Sequence, residues 1–78
     1  MQLEVLSPEK KYFEGPVKSV EFPGTEGRFG VLDHHAPIIS SLGRGLIYIT
    51  DIENKTHEIS INGGVVEVLN GQVSVLID

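Results

Sequence analysis

The 78-residue chain has no cysteine and no tryptophan, one methionine, and only six Lys and Arg against eleven Asp and Glu. Without cysteine there is neither a disulfide framework nor a thiolate metal site to compensate for a small core, and nothing in the composition argues for an oxidising compartment. The cytoplasm is the default expectation. A formal charge of −5 disfavours nucleic-acid phosphates and anionic lipid as partners and favours basic protein surfaces. No apolar run approaches the roughly 20 residues that cross a bilayer, and Met1-Gln2-Leu3-Glu4 lacks the basic start and apolar stretch of a signal peptide. Direct membrane insertion is not expected. Helical periodicity is missing as well, since no segment repeats apolar residues at i, i+3, i+4 and i+7 over three turns. A chain of this size is one domain that buries roughly 60% of its unfolded surface, so a deep pocket is not expected.

What remains is the two-residue period of β-structure. Leu3 and Val5 oppose Glu4 in a strand over Gln2 to Leu6. Lys10 to Glu14 forms a second segment closed by Gly15-Pro16. From Val17 to Phe22, Val20 and Phe22 share a face with Lys18, while Val17, Ser19 and Glu21 share the other. Leu46 to Thr50 is continuously apolar, β-branched or aromatic, which predicts a strand covered on both faces. His57, Ile59 and Ile61 alternate with polar neighbours in a one-sided strand. Val65 to Leu69 and Gln72 to Ile77 flank Asn70-Gly71, a hairpin signal because both residues tolerate positive φ. The expected fold class is all-β, a flattened sandwich or small barrel of short antiparallel strands.

One stretch breaks the alternation. Gly24 to Pro37 holds glycines at 24, 27 and 30, adjacent His34 and His35, and a proline. It predicts two tight turns around a very short strand, with Phe29 and Val31 both pointing inward to anchor it. Function on a rigid scaffold concentrates in such loops. Asp33-His34-His35 invites a zinc reading, but adjacent residues of an extended segment point to opposite sides. No serine sits in a Gly-x-Ser-x-Gly elbow, and no helix follows the glycines to cradle phosphate. No catalytic, metal or nucleotide site is expected, and no cofactor. A different class of function is a biotinyl or lipoyl carrier domain with Lys55 at a hairpin tip, although the attachment triplets Asp-Lys-Ala and Met-Lys-Met are absent.

Leu3-Glu4-Val5-Leu6-Ser7, Gly24-Thr-Glu-Gly-Arg-Phe-Gly-Val31, His35-Ala-Pro-Ile38, and Gly63-Gly-Val-Val-Glu-Val68 followed by Val73-Ser-Val-Leu76 occur in that order across the whole chain. In combination they resemble the N-terminal β-sandwich domain of the ATP synthase epsilon subunit. The resemblance implies a non-catalytic part of the rotor that docks on the gamma subunit and on the c-ring, on the cytoplasmic face of the membrane, and couples proton flow to ATP synthesis. It implies a c-ring contact at Glu26, Gly27, Arg28, His34, His35, Ala36 and Pro37, and a gamma contact at Ser7, His35, Ser40, Asn62, Glu67 and Ser74. His34 stands where the family usually has glycine, which implies a left-handed residue. Long members continue into a helical hairpin that regulates ATP hydrolysis. This sequence stops at Asp78, and the expectation is a short subunit that couples without inhibiting by helix insertion.

Overall fold

The computed structural model describes all 78 residues, and every regular element in it is a strand. The order is β1 (Gln2–Leu6), β2 (Lys11–Gly24), β3 (Gly27–Leu32), β4 (Ile38–Leu42), β5 (Gly45–Asp51), β6 (Thr56–Ile61), β7 (Gly64–Leu69) and β8 (Gln72–Ile77). One sheet runs β4-β7-β8-β1 and ends on the first half of β2; the other runs β3-β2-β5-β6 through the second half. All pairings are antiparallel except β1 with β8.

Gly15-Pro16 does not end a strand, contrary to expectation. Val17 N–H donates to Met1 C=O at 2.9 Å, so Pro16, one residue earlier, turns its nitrogen to the side of β2 away from β1, where no ladder bond is lost. β2 therefore runs unbroken for 14 residues, about 45 Å if straight, in a molecule whose longest dimension is 27 Å. It has to bend, and it crosses from one sheet to the other as it does so. A bulge between Val17 and Ser19 adds the residue that makes the bend. That extra residue corrects the expected facing: Val17, Val20 and Phe22 are all buried, where plain alternation would turn Val17 outward.

The core between the sheets holds 15 buried residues, eight of them valine and only Phe22 aromatic, with no buried polar side chain among them. Stiff β-branched side chains suit a thin interlayer between pleated surfaces. β5 is covered on one face only: Ile47 and Ile49 are buried but Tyr48 is 41% exposed, so the two-sided burial expected of it is not found. The Asn70-Gly71 hairpin is as expected, with φ of 50° and 77° and Leu69 opposite Gln72. At the β5–β6 turn the Asp51 carboxylate accepts from Glu53 N–H (2.8 Å) and Lys55 N–H (3.0 Å), fixing a loop whose Asn54 is left-handed.

Candidate interaction surfaces

Strand register brings the expected gamma-contact residues partly together. Ile39 pairs with Glu67, Glu67 with Ser74, and Ser74 with Glu4, making one row across the outer face of the first sheet. The next row is Ser41, Val65, Leu76 and Leu6. Ser7 follows Leu6, and Asn62 precedes Gly63, whose carbonyl accepts Asp78 N–H at 3.2 Å, so both border this patch at one end. Ser40 does not belong to it. Along β4 it alternates with Ile39 and Ser41, and it lines a crevice with Phe29 and the β2–β3 turn.

The same register exposes residues that the sequence reading missed. Ile39 is 73% and Leu76 56% exposed, with Val65 and Leu69 beside them, so the outward face is aliphatic around a polar centre of Glu67 and Ser74. A shallow cleft of about 340 Å3 between Pro37, Ile39 and Leu69 continues it toward β4. The signal was present in Val65-Val66, Val68-Leu69 and Val75-Leu76-Ile77, which are apolar at both parities, the pattern of a strand covered on both sides.

The expected c-ring residues do not form one loop. Glu26 and Gly27 lie at the β2–β3 turn, where Gly24 has no room for a side chain because a Cβ there would stand 2.9 Å from the Phe29 ring. Phe29 in turn stacks on Phe22 with ring centroids 5.5 Å apart, so the half-buried ring ties the turn to the core as expected. Arg28 is not free to reach out. Its Nε donates to Glu21 at 2.7 Å, its Nη2 donates to Leu46 C=O at 2.8 Å, and its guanidinium lies 4.8 Å from the Tyr48 ring centroid. His34 to Pro37 sit beyond the other end of β3, about 17 Å along the strand. There His34 adopts the left-handed conformation with φ of 67°. His35 N–H donates to Leu32 C=O at 3.2 Å, and its Nδ1 donates to Ala36 C=O at 2.7 Å.

A polar crevice of about 460 Å3 separates this turn from Asn70-Gly71. Beside it the Met1 ammonium donates to Asp33 at 2.8 Å, and that hydrogen bond, followed by the charge itself, holds the Asp33 carboxyl below its ordinary value. No three His, Asp or Glu side chains converge as metal ligands would. Lys55 lies in the β5–β6 turn, with its backbone bound by Asp51.

The sequence profile of the "ATP synthase, Delta/Epsilon chain, beta-sandwich domain" family matches residues 1–78. An ATP synthase epsilon chain of Leptospira borgpetersenii is 44% identical over 78 residues, covering all of this chain and 61% of that protein. The epsilon chain of Nitratiruptor is 45% identical, again over all of this chain and 60% of its relative. The chain thus spans about three-fifths of the length of these curated relatives. Among solved structures, a chain in the Euglena gracilis mitochondrial ATP synthase superposes with a TM-score of 0.89 at 23% identity, covering 96% of this chain and 48% of that one. A chain in the Tetrahymena thermophila central stalk and c-ring superposes at 0.79 and 17% identity, covering 97% and 61%. At those identities the structural matches establish the sandwich fold.

Proposed function

The chain belongs to the β-sandwich domain family of the ATP synthase delta and epsilon chains, and from that premise we propose that residues 1–78 are the N-terminal domain of an epsilon subunit. In this reading it is a non-catalytic rotor component without a cofactor, joined to gamma on one side and to the c-ring on the other. It sits peripherally at the cytoplasmic face of the membrane and helps couple proton flow to ATP synthesis. No helix is long and apolar enough to cross a membrane.

The observation that carries the gamma contact is the first sheet's outer face, where four exposed aliphatic side chains surround Glu67 and Ser74. Aliphatic anchors around a few polar groups are what a protein interface core requires. Ser7 and Asn62 bound that face, His35 lies at the Pro37 end of its cleft, and Ser40 takes part only through the crevice behind Phe29. For the c-ring, the exposed tip Glu26-Gly27 is the reaching element. His34, Ala36 and Pro37 belong to a second, separate contact, and Arg28 braces the tip from behind. The carrier reading at Lys55 has no support beside a family match that spans the whole chain.

A titration of isotope-labelled protein with the gamma subunit, followed through backbone amides, tests the assignment. Shifts are expected on β4, β7, β8 and β1 around Ile39, Glu67 and Leu76. Their absence at saturating gamma would overturn it.

A further inference from the structure

β3 has a free edge. Pro23 C=O accepts Gly43 N–H at 2.8 Å, so the polar backbone groups of Pro23 point toward β4 and β5, and those of Phe22 and Gly24 point toward β3. By alternation Phe29 and Val31 bond to β2, while the N–H and C=O of Arg28, Gly30 and Leu32 point away from it. The bond from His35 N–H to Leu32 C=O confirms that direction. Only β2 pairs with β3, and the remaining outward groups of Arg28 and Gly30 have no backbone partner.

Edge strands are normally guarded by charge, proline or a bulge. β3 has no proline and no bulge, and its one charged side chain, Arg28, is folded back onto Glu21, Leu46 and Tyr48. At its centre Gly30 is bare: a Cβ placed there meets nothing nearer than the Val20 carbonyl at 3.9 Å. Leu32, 64% exposed, ends the strand.

We propose that this edge pairs with β3 of a second copy of the chain, antiparallel and two-fold symmetric about Gly30. The strand is complementary to itself in that register. Arg28 meets Leu32 of the other copy, Gly30 meets Gly30, and all three outward-facing residues of each strand oppose one another. Leu32 gains the aliphatic stem of Arg28 as cover. Side chains are absent only at the centre, where two strands must approach without a clash. The paired strands join the second sheets of the two copies into one continuous sheet. Because the partner strand would run up to the Glu26-Gly27 tip, pairing and the proposed c-ring contact exclude each other, so the pairing belongs to the unassembled chain.

The test is sedimentation of the chain in about 0.15 M salt, which screens the repulsion between two acidic copies, combined with hydrogen exchange at two concentrations. So small a contact is weak: monomer is expected at about 10 µM and a mass approaching twice 8.5 kDa at about 1 mM. Exchange of the Arg28 and Gly30 amides should slow roughly tenfold over that range. Leu32→Lys should abolish the mass increase and the slowing at both amides, and Gly30→Pro the mass increase and the slowing at Arg28, each leaving the thermal melt unchanged. A chain that stays monomeric at the higher concentration overturns the proposal. So does association that survives Leu32→Lys but is lost in Leu76→Glu, which would place the interface on the first sheet.

Discussion

On the first sheet the outward positions are Ile39, Val65, Leu69 and Leu76 around Glu67 and Ser74; on the second they are Ser19, Glu21, Thr50, Thr56 and Glu58, with Arg28 laid over Tyr48 and Leu32 exposed alone at the β3 edge. Both faces come from the same alternation over the same aliphatic core. On the second the Glu21 carboxylate is paired with Arg28 and the remaining outward side chains are mostly polar, whereas the first leaves aliphatic surface uncovered. Exposed single aliphatic residues are ordinary, but four gathered on one sheet face support the gamma contact proposed for it.

The contrast can be broken first at glycine. A Cβ on Gly64 would run into the Leu76 carbonyl and press on the Ile77 backbone, forcing apart the β7–β8 pair beneath the apolar face. Gly64→Ala is expected to lose more than about 3 kcal/mol in a denaturant melt. Gly30→Ala, at the open edge of the other sheet, should stay within about 0.5 kcal/mol. Next in size is binding. Leu76→Glu should weaken gamma roughly 30-fold or more, about 2 kcal/mol, with an unchanged melt. Thr50→Glu on the opposite face should leave gamma affinity unaltered, and equal losses from both would mean the two faces are not distinguished as argued.

Smaller again is Arg28→Ala, which removes a surface ion pair, a hydrogen bond to Leu46 C=O and a cation–π contact, together worth about 1 to 2 kcal/mol. Stability should drop by that much while gamma affinity holds. Least of all is the acid limb. The His57 ring bond, then the Lys55 backbone N–H, hold the Asp51 carboxyl below its ordinary value near 3.8, and the Met1 ammonium does the same for Asp33. With folded values below unfolded ones, their stabilisation is complete above about 3.8 and disappears as pH falls through the lowered values. Melting temperatures measured from pH 7 downward should hold until that region and then fall, and Asp51→Ala should fall less steeply.

Much of this architecture was legible in the chain. The limits of β1, the Asn70-Gly71 hairpin and the inward pair Phe29 and Val31 followed from alternation and turn chemistry alone. What failed did so for identifiable reasons. Gly15-Pro16 looked like a break because proline's missing donor matters only if the position needs one, and sequence cannot say which side of a strand is open. The bulge at Val17–Ser19 inverted the facing of a segment that alternation alone had assigned. For the candidate site, the family resemblance groups Ser40 with Glu67 and Ser74, and of the three only Glu67 and Ser74 share a row on the outer face of the first sheet. Ile39 and Leu76 are apolar, and apolarity alone gives no sign that a strand residue faces outward. The seven residues expected at the c-ring fall in two turns around a strand, as the stretch predicts, but that strand is six residues long and holds Gly27 and Arg28 within it.

β2 has a mechanical consequence. A sandwich whose layers touch only through side chains resists sliding by packing alone, and aliphatic packing has no direction. Here one covalent strand is woven into both layers. Its first half lies beside β1 at the margin of the aliphatic face, and its second half ends at Gly24, where the Glu26 turn begins. A tangential pull on either place therefore tensions a peptide backbone held by hydrogen bonds along most of its length, in the manner of a belt stitched through two plies. The layers cannot slip past each other without stretching that strand, which makes the domain stiff in shear, the property that the proposed place in a rotor requires.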